Sequence, residues 1–460
     1  MGLGASIAPL DFAVNIAFPA ITQAFALQTA SIRWVAVSYV LTYGSLMLGF
    51  GALGDRIGYR RVFRAGLMLA AIAFAACALA PTYGWLLAAR VAQGIAVALT
   101  LSCAPAMATL LFDESRRTWA LSTYTAMAAI AGVLAPIAGG LMIAMIDWPG
   151  VYWFRVPIAL LALAGMRHLA RDEPIRPTRS AKPFDTGGSA MLAASMGLLL
   201  LAPALLGAST EGVSLWAPWP IALAGVVSMA AFIRRQRNTD RPFMPREVTR
   251  DTDFWVINLA AVVVQFASFA VPLITPYFLV RVAGWDTPAV GALMAVWAIG
   301  SLAGSSGASG IISRLGAPRS AFVAMLGIIV GLGAIACWRS TPSVALMAGS
   351  LLVHGAGLGL FQVAYTDIVI AALPINARGV AGSLTMVTRT IGLVIGASLW
   401  IAVLQSIQTS AQTAGASLIA AFMSAFATVF ICAALTAGSF LAGWWLRRSR
   451  MKRAETGATG

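Results

Sequence analysis

Gly51-Ala-Leu-Gly-Asp-Arg-Ile-Gly-Tyr-Arg-Arg61 lies between two apolar runs, near 34–53 and 62–81. Stretches of roughly 20 apolar residues have the length of a membrane-crossing helix. A short connection between two such helices needs glycines for a tight turn and basic side chains that stay at the membrane surface. Gly51 and Gly58 meet the first need and Arg56, Arg60, Arg61 and Arg64 the second, while Asp55 can pair with an arginine or a neighbouring helix N-terminus. The segment returns 258 residues later as Ser309-Gly-Ile-Ile-Ser-Arg-Leu-Gly-Ala-Pro-Arg319, which keeps Arg56/Arg314, Gly58/Gly316 and Arg61/Arg319. At an offset of 261, Gln93 falls on His354, Gly94 on Gly355 and Arg117 on Arg378. A chain built from two related halves is a common construction of secondary transporters, which place the substrate site where the halves meet.

The composition agrees. Of 460 residues, 60% are hydrophobic and 10% are charged, against roughly 25% charged in a soluble domain. A net charge of +15 does not indicate nucleic acid, because the basic residues fall in short clusters between apolar runs. Apolar stretches lie near 3–23, 34–53, 62–81, 84–111, 118–145, 152–168, 187–208, 217–233, 254–279, 289–312, 321–338, 344–371, 380–405 and 417–446, which predicts fourteen spans. With the N-terminus inside, 25 basic residues occupy inner loops and the inner tail, and only Arg33, Arg281 and Arg339 the outer loops. That bias predicts both termini in the cytoplasm and a multi-pass protein of the cell membrane. No cleavable signal is visible, since the N-terminus lacks a basic lead.

The loop segment resembles the inner-loop signature of the major facilitator superfamily, GxLxDRxGRR, with Tyr59 where a basic or small residue is common. Leu10-Asp-Phe-Ala-Val-Asn15-Ile-Ala-Phe-Pro19 and Trp34-Val-Ala-Val-Ser-Tyr39-Val-Leu41 are similar to the fourteen-helix drug:proton antiporter branch (EmrB/QacA type). Leu87-Ala-Ala-Arg90-Val-Ala-Gln93-Gly94 resembles the branch's fourth-helix motif, and Gly132-Val-Leu-Ala-Pro136-Ile-Ala-Gly139-Gly140 its antiporter motif. The resemblance implies an all-α integral membrane protein with the major facilitator fold, two six-helix bundles plus two inserted helices. On that pattern residues 1–185 form the N-terminal bundle and inner linker, 186–253 the inserted pair and inner loop, and 254–460 the C-terminal bundle and basic tail. It also implies a longer lead before Asp11, hence a start upstream of Met1. Three departures stand out: Ala135 before Pro136 in place of Gly, Ser313 in place of the acid in the second loop copy, and Arg155-Val-Pro157 where the branch has Asn-x-Pro.

Asp11 and Asn15 share one helical face, and a carboxylate within a membrane helix is costly unless it has a partner or a task. Two roles fit Asp11, proton or substrate coupling and the capping of a helix that starts at the interface. Arg90 and Gln93 share a face of the fourth span; the alternatives for Arg90 are coupling to a carboxylate and a static bond to helix carbonyls. The family's fourth-helix Arg is associated with proton translocation, which implies Asp11 and Arg90 as the proton-coupling pair. Gly132, Pro136 and Gly140 recur every fourth residue, a smooth face for close helix packing. Most such faces serve packing alone; the resemblance implies that this one, with Gly51, Asp55, Arg56, Gly58 and Arg61, forms the conformational gate. Asn15, Gln93, Arg389 and His354 are the candidates for the substrate cavity, although a lone membrane His is more commonly a hydrogen-bonded packing residue. Arg155 and Asp367 stand near span ends and read as snorkelling to the interface. Trp285, Trp338, Trp444 and Trp445 read as an interfacial belt, and Cys77, Cys103, Cys337 and Cys432 as packing residues.

A P-loop requires Gly-Lys-Ser/Thr, and the only lysines stand in Ala181-Lys182-Pro183 and Met451-Lys452-Arg453, which excludes an ATP-driven pump within this chain. Two histidines, few acids and no nucleophile motif leave no basis for an enzyme, a metal site or a cofactor. The expected activity is proton-coupled export of small lipophilic or amphiphilic compounds, with a narrow-substrate metabolite exporter or an uptake carrier as the alternative. The expected partners are the small-molecule substrate, protons and membrane lipid, without nucleic acid; a periplasmic adaptor cannot be read from the chain. The intramembrane charges, Arg90, Arg155 and Arg389 against Asp11 and Asp367, leave one surplus positive charge. Neutral or anionic amphiphiles are therefore expected among the cargo.

Overall fold

In lipid no water is at hand for an exposed peptide group, so each span must bond its own backbone and the apolar runs must be helices. The computed structural model describes residues 4, 6–29, 31–110, 114–168, 186–206, 216–237, 252–340, 343–372 and 378–457. The expected start upstream of Met1 and the basic clusters at 171–182 and 241–250 lie outside them, as do the side chains of Asp55, Arg56, Arg116, Arg117 and Arg378.

A 3-10 turn, Pro9–Asp11, leads into α1 (Phe12–Ala24). Next come α2 (Arg33–Ile57), α3 (Tyr59–Ala78), α4 (Tyr83–Leu110), α5 (Glu114–Ile146), the single turn α6 (Gly150–Trp153) and α7 (Arg155–His168). The expected insertion is α8 (Thr186–Leu206) and α9 (Pro218–Arg237). The remainder is α10 (Thr252–Ser268), α11 (Ala270–Arg281), α12 (Thr287–Leu315), α13 (Ala317–Ala336), α14 (Val344–Ala372), α15 (Arg378–Thr413) and α16 (Leu418–Gly457). Where its residues are described, each apolar stretch read from the sequence coincides with helix over most of its length. Among the described residues nine helices are long and apolar enough to cross a membrane, fewer than the fourteen expected. Two stretches are interrupted for a visible reason: Pro157 and Pro272 lack the N–H that would bond Trp153 and Ser268 four residues back, where α6 and α10 end.

Contacts group the chain into two units. Unit 1 holds Met1–Pro242, Pro272–Ala295 and Ala397–Ala402; unit 2 holds Phe243–Val271, Val296–Gly396 and Val403–Gly460. In unit 1, α4 packs on α2 and α3, α7 on α3, α5 on α1, and the pair α8/α9 joins the bundle where α8 packs on α2. In unit 2, α13 packs on α14 and α16, and α10 on α14 and α16.

The repeat seen in sequence is present in backbone geometry. Gly58, between α2 and α3, has φ +96°, and Gly316, at the same place between α12 and α13, has φ +79°. This region is open to glycine and strained for a residue bearing a Cβ. Gly94 and Gly355 are equivalent too. A Cβ on Gly94 would stand 2.7 Å from the Tyr39 carbonyl oxygen, and one on Gly355 would overlap the Trp297 carbonyl, so α4 meets α2 as α14 meets α12. The Gly355→Ala protein should therefore lose about 1–3 kcal/mol through helix displacement. Its thermal midpoint in detergent should fall measurably, while Gly333→Ala, where an added methyl meets nothing within 4 Å, serves as the neutral control.

Four expectations need correction. Arg33, read as an outer-loop residue, is buried at the start of α2 with its guanidinium 5.6 Å from the Trp34 ring. Trp338 is not part of an interfacial belt: it is buried, donates from Nε1 to Ser350 Oγ at 3.1 Å and stacks on Phe426. Cys337, read as packing, is exposed. Arg155 is the fourth.

Candidate functional site: a shared carboxylate in unit 1

Asp11 stands in the capping position of α1 but makes no capping hydrogen bond. Its carboxylate turns to α4 instead, so the capping bond weighed for it in the sequence is not made. Arg90 grips it end-on, Nη1 donating to Oδ1 at 2.7 Å and Nη2 to Oδ2 at 2.9 Å. One turn along α4, Gln93 donates from Nε2 to Oδ1 at 2.9 Å, while its own Oε1 accepts from Arg90 Nη1 at 2.8 Å. The remaining Arg90 nitrogen, Nε, donates to the Val35 carbonyl of α2 at 2.8 Å, and the guanidinium lies 4.3 Å from the Tyr39 ring. Every nitrogen of Arg90 is thus engaged, and a two-pronged carboxylate pair of this kind fixes geometry as well as charge.

A third group completes the site. Arg155 is fully buried at the first position of α7, and its Nη1 donates to Asp11 Oδ1 at 2.9 Å. The expectation that Arg155 snorkels to the interface is wrong. The break between α6 and α7 at Phe154 swings the side chain inward, among the rings of Phe74, Tyr152 and Phe154 at 5.4, 5.4 and 5.9 Å. One carboxylate therefore serves two guanidiniums; Arg90 and Arg155 are 1% and 0% exposed and Asp11 16%. Holding one charge of either sign in such a place is expensive, and removing the shared anion would leave two cations without their counter-charge.

The other expected residues are placed differently. Asn15 is half-buried on α1 and takes no part in these hydrogen bonds. In unit 2, His354 is fully buried: Nδ1 accepts from Trp297 Nε1 at 2.9 Å, so Nε2 carries the proton and faces Ser268 Oγ at 3.1 Å. Both ring nitrogens are satisfied, which fits the packing role weighed for it in the sequence. The His354→Leu protein should lose the hydrogen bonds to Trp297 and Ser268, lowering stability by about 1–3 kcal/mol in thermal melts. Arg389 is half-buried near Tyr365, and Asp367 is exposed. Sequence reasoning did not find the buried trio of unit 2, in which Asn258 Oδ1 accepts from Tyr365 Oη at 2.8 Å and Thr388 Oγ1 at 3.3 Å.

Of the expected gate, Gly58 closes α2, Gly51 is half-buried and Arg61 is exposed. The α5 face meets two neighbours within unit 1. A Cβ on Gly132 would stand 3.9 Å from Pro9 Cβ, whereas at Gly140 it would overlap the Thr287 carbonyl, and one on Gly291 would overlap that of Pro136. Thr287 Oγ1 also donates to the Gly140 carbonyl at 3.1 Å. Among the described residues no group of three or more His, Cys, Asp or Glu side chains could hold a metal ion.

Residues 1–397 match the sequence profile of the Major Facilitator Superfamily. The chain belongs to this superfamily of transporters. Within it, the chain is 30% identical over 417 residues to the methylenomycin A resistance protein of Streptomyces coelicolor, covering 88% of this chain and 85% of that one. It is 28% identical over 416 residues to the multidrug resistance protein Stp of Mycobacterium tuberculosis, covering 88% and 74%. The crystal structure of the POT family transporter PepTSo superposes with a TM-score of 0.66 at 15% identity, covering 97% of this chain and 98% of that one. The major facilitator chain described here is therefore a multi-pass membrane protein of transporter fold with resistance proteins among its relatives.

Proposed function

We propose that this protein is a proton-coupled secondary active transporter that exports small lipophilic or amphiphilic compounds by alternating access. The observation that carries the reading is the Asp11 carboxylate held by Arg90, Arg155 and Gln93 within an apolar bundle. A carboxyl poised against a permanent cation can exchange its ion pair for a proton, which is the elementary act of coupling. Asp11 and Arg90 are the coupling pair, and Gln93 fixes the carboxylate. Asn15 and Arg389 remain cavity candidates; Gly51, Asp55, Arg56, Gly58, Arg61, Gly132, Pro136 and Gly140 form the gate. The proposed frame is fourteen spans in the bacterial inner membrane with both termini cytoplasmic, divided at 185/186 and 253/254. The resistance proteins among the relatives support export of drug-like cargo.

The test is efflux of fluorescent cationic and anionic amphiphiles from cells producing the protein, with and without a protonophore. Efflux that collapses with the proton gradient is expected. Efflux indifferent to the protonophore would overturn the coupling, and accumulation in place of efflux would install the uptake carrier.

A further inference from the structure

The Asp11 cluster holds more positive charge than its hydrogen bonds use. Arg90 spends all three nitrogens on protein acceptors, but Arg155 donates only through Nη1; its Nε and Nη2 are buried and bond to no group among the described residues. These two nitrogens form the side edge of the guanidinium, whose parallel N–H groups match the two oxygens of a carboxylate. Tyr152 Oη is likewise buried with no hydrogen-bond partner among the described residues, and the Tyr152 ring lies 5.4 Å from the same guanidinium. Among the described residues, two cations to one anion leave one uncompensated positive charge in an apolar interior, a costly state that an arriving anion relieves.

We propose that Arg155 anchors an anion subsite beside Asp11, taking the carboxylate of an amphiphilic organic acid on its Nε/Nη2 edge while the apolar body of that acid lies among Phe74, Tyr152 and Phe154. The proposal deepens the exporter reading and rests on it for the direction of transport only; the subsite is a statement about binding. Asp11 and the ligand hold different edges of Arg155, but both are anions on one guanidinium and repel each other. Removing the Asp11 charge should tighten the anion's hold, an effect that a purely structural Arg155 would not produce.

The experiment is equilibrium binding of naphthaleneacetate and of its methyl ester to the purified full-length protein in lipid nanodiscs. The wild type should prefer the acid by about tenfold or more, since a buried charge-assisted pair is lost with the ester. Asp11→Asn should raise affinity for the acid by about tenfold and leave the ester unchanged, and Arg155→Asn should erase the preference. Arg155→Lys keeps the charge but not the fork, and should retain only part of the preference, which guards against a misfolded Asn variant. Equal binding of acid and ester by the wild type, no binding of the acid, or a preference that survives in folded Arg155→Asn each overturns the subsite. Protonophore-sensitive efflux of cationic probes would then still stand. Acid-selective binding without efflux of any probe would uphold the subsite and remove the exporter reading.

Discussion

Asp11→Asn is expected to abolish protonophore-sensitive efflux, with residual transport below about a tenth of the wild-type rate in matched membranes. The amide fills the same volume but supplies no charge and no titration. Its oxygen can accept from Arg90 or Arg155, yet its nitrogen must then face a donor where the carboxylate presented only acceptors. Two guanidiniums that are 1% and 0% exposed would share no counter-charge. Breaking a buried ion pair by removing one partner costs about 3–5 kcal/mol, so the variant should also melt earlier in detergent. The two effects separate on restoring the charge: Asp11→Glu should regain the thermal midpoint in part and recover some proton-dependent efflux. Full efflux in Asp11→Asn, still sensitive to the protonophore, would place the coupling carboxyl elsewhere in the chain.

Arg90→Lys should be nearly as damaging, with a loss of about tenfold or more in proton-dependent efflux, although the charge is kept. Arg90 makes four hydrogen bonds in three directions, to both oxygens of Asp11, to Gln93 Oε1 and to the Val35 carbonyl. An ammonium is a point donor and cannot span the two carboxylate oxygens and the Val35 carbonyl together. The Gln93 amide then loses the acceptor role that sets its orientation, and Asp11 shifts toward Arg155. Charge without geometry is therefore predicted to fail, and the measurement is efflux normalised to the amount of folded protein. Wild-type efflux in Arg90→Lys would show that only the electrostatic field of the residue matters. Arg90→Gln, which removes the charge, would then be needed to stop transport for the pair to retain its role.

Much of the fold was legible because the membrane imposes a coarse rule, about twenty apolar residues per span, that reads directly from Phe12, Leu67 or Ile328 and their neighbours. The turn glycines were legible for the same reason: Gly58 and Gly316 are demanded by backbone geometry, not by context. Within the site, the spacing on α4 puts Arg90 and Gln93 on one face and the rarity of intramembrane charge singles out Asp11 and Arg90, while the bond from Gln93, expected in the substrate cavity, to Asp11 was not legible. Nor was the place of Arg155. Its position near a span end argued for the interface, and only the break at Phe154, set up by Pro157, turns the side chain into the bundle. The replacement of Asn by Arg155 before Val-Pro was the available signal, but its meaning depends on Asp11 lying 2.9 Å away, a distance across 144 positions of sequence that no local pattern encodes. The same holds for Asn258, Tyr365 and Thr388, ordinary polar residues whose significance lies in meeting one another in a buried space. His354 and Trp338 show the converse: a rare residue type drew attention, and packing partners satisfied it.

The central claim, that the Asp11 cluster exchanges protons in step with cargo, is tested most directly by recording proton movement in proteoliposomes carrying an internal pH dye. A compound shown to be exported by cells is added to wild-type and Asp11→Asn vesicles, and pH is followed alongside cargo flux. A cargo-dependent pH change in the wild type that vanishes in Asp11→Asn is the predicted result. Cargo flux in wild-type vesicles without any pH change, or an equal pH change in the variant, would contradict it.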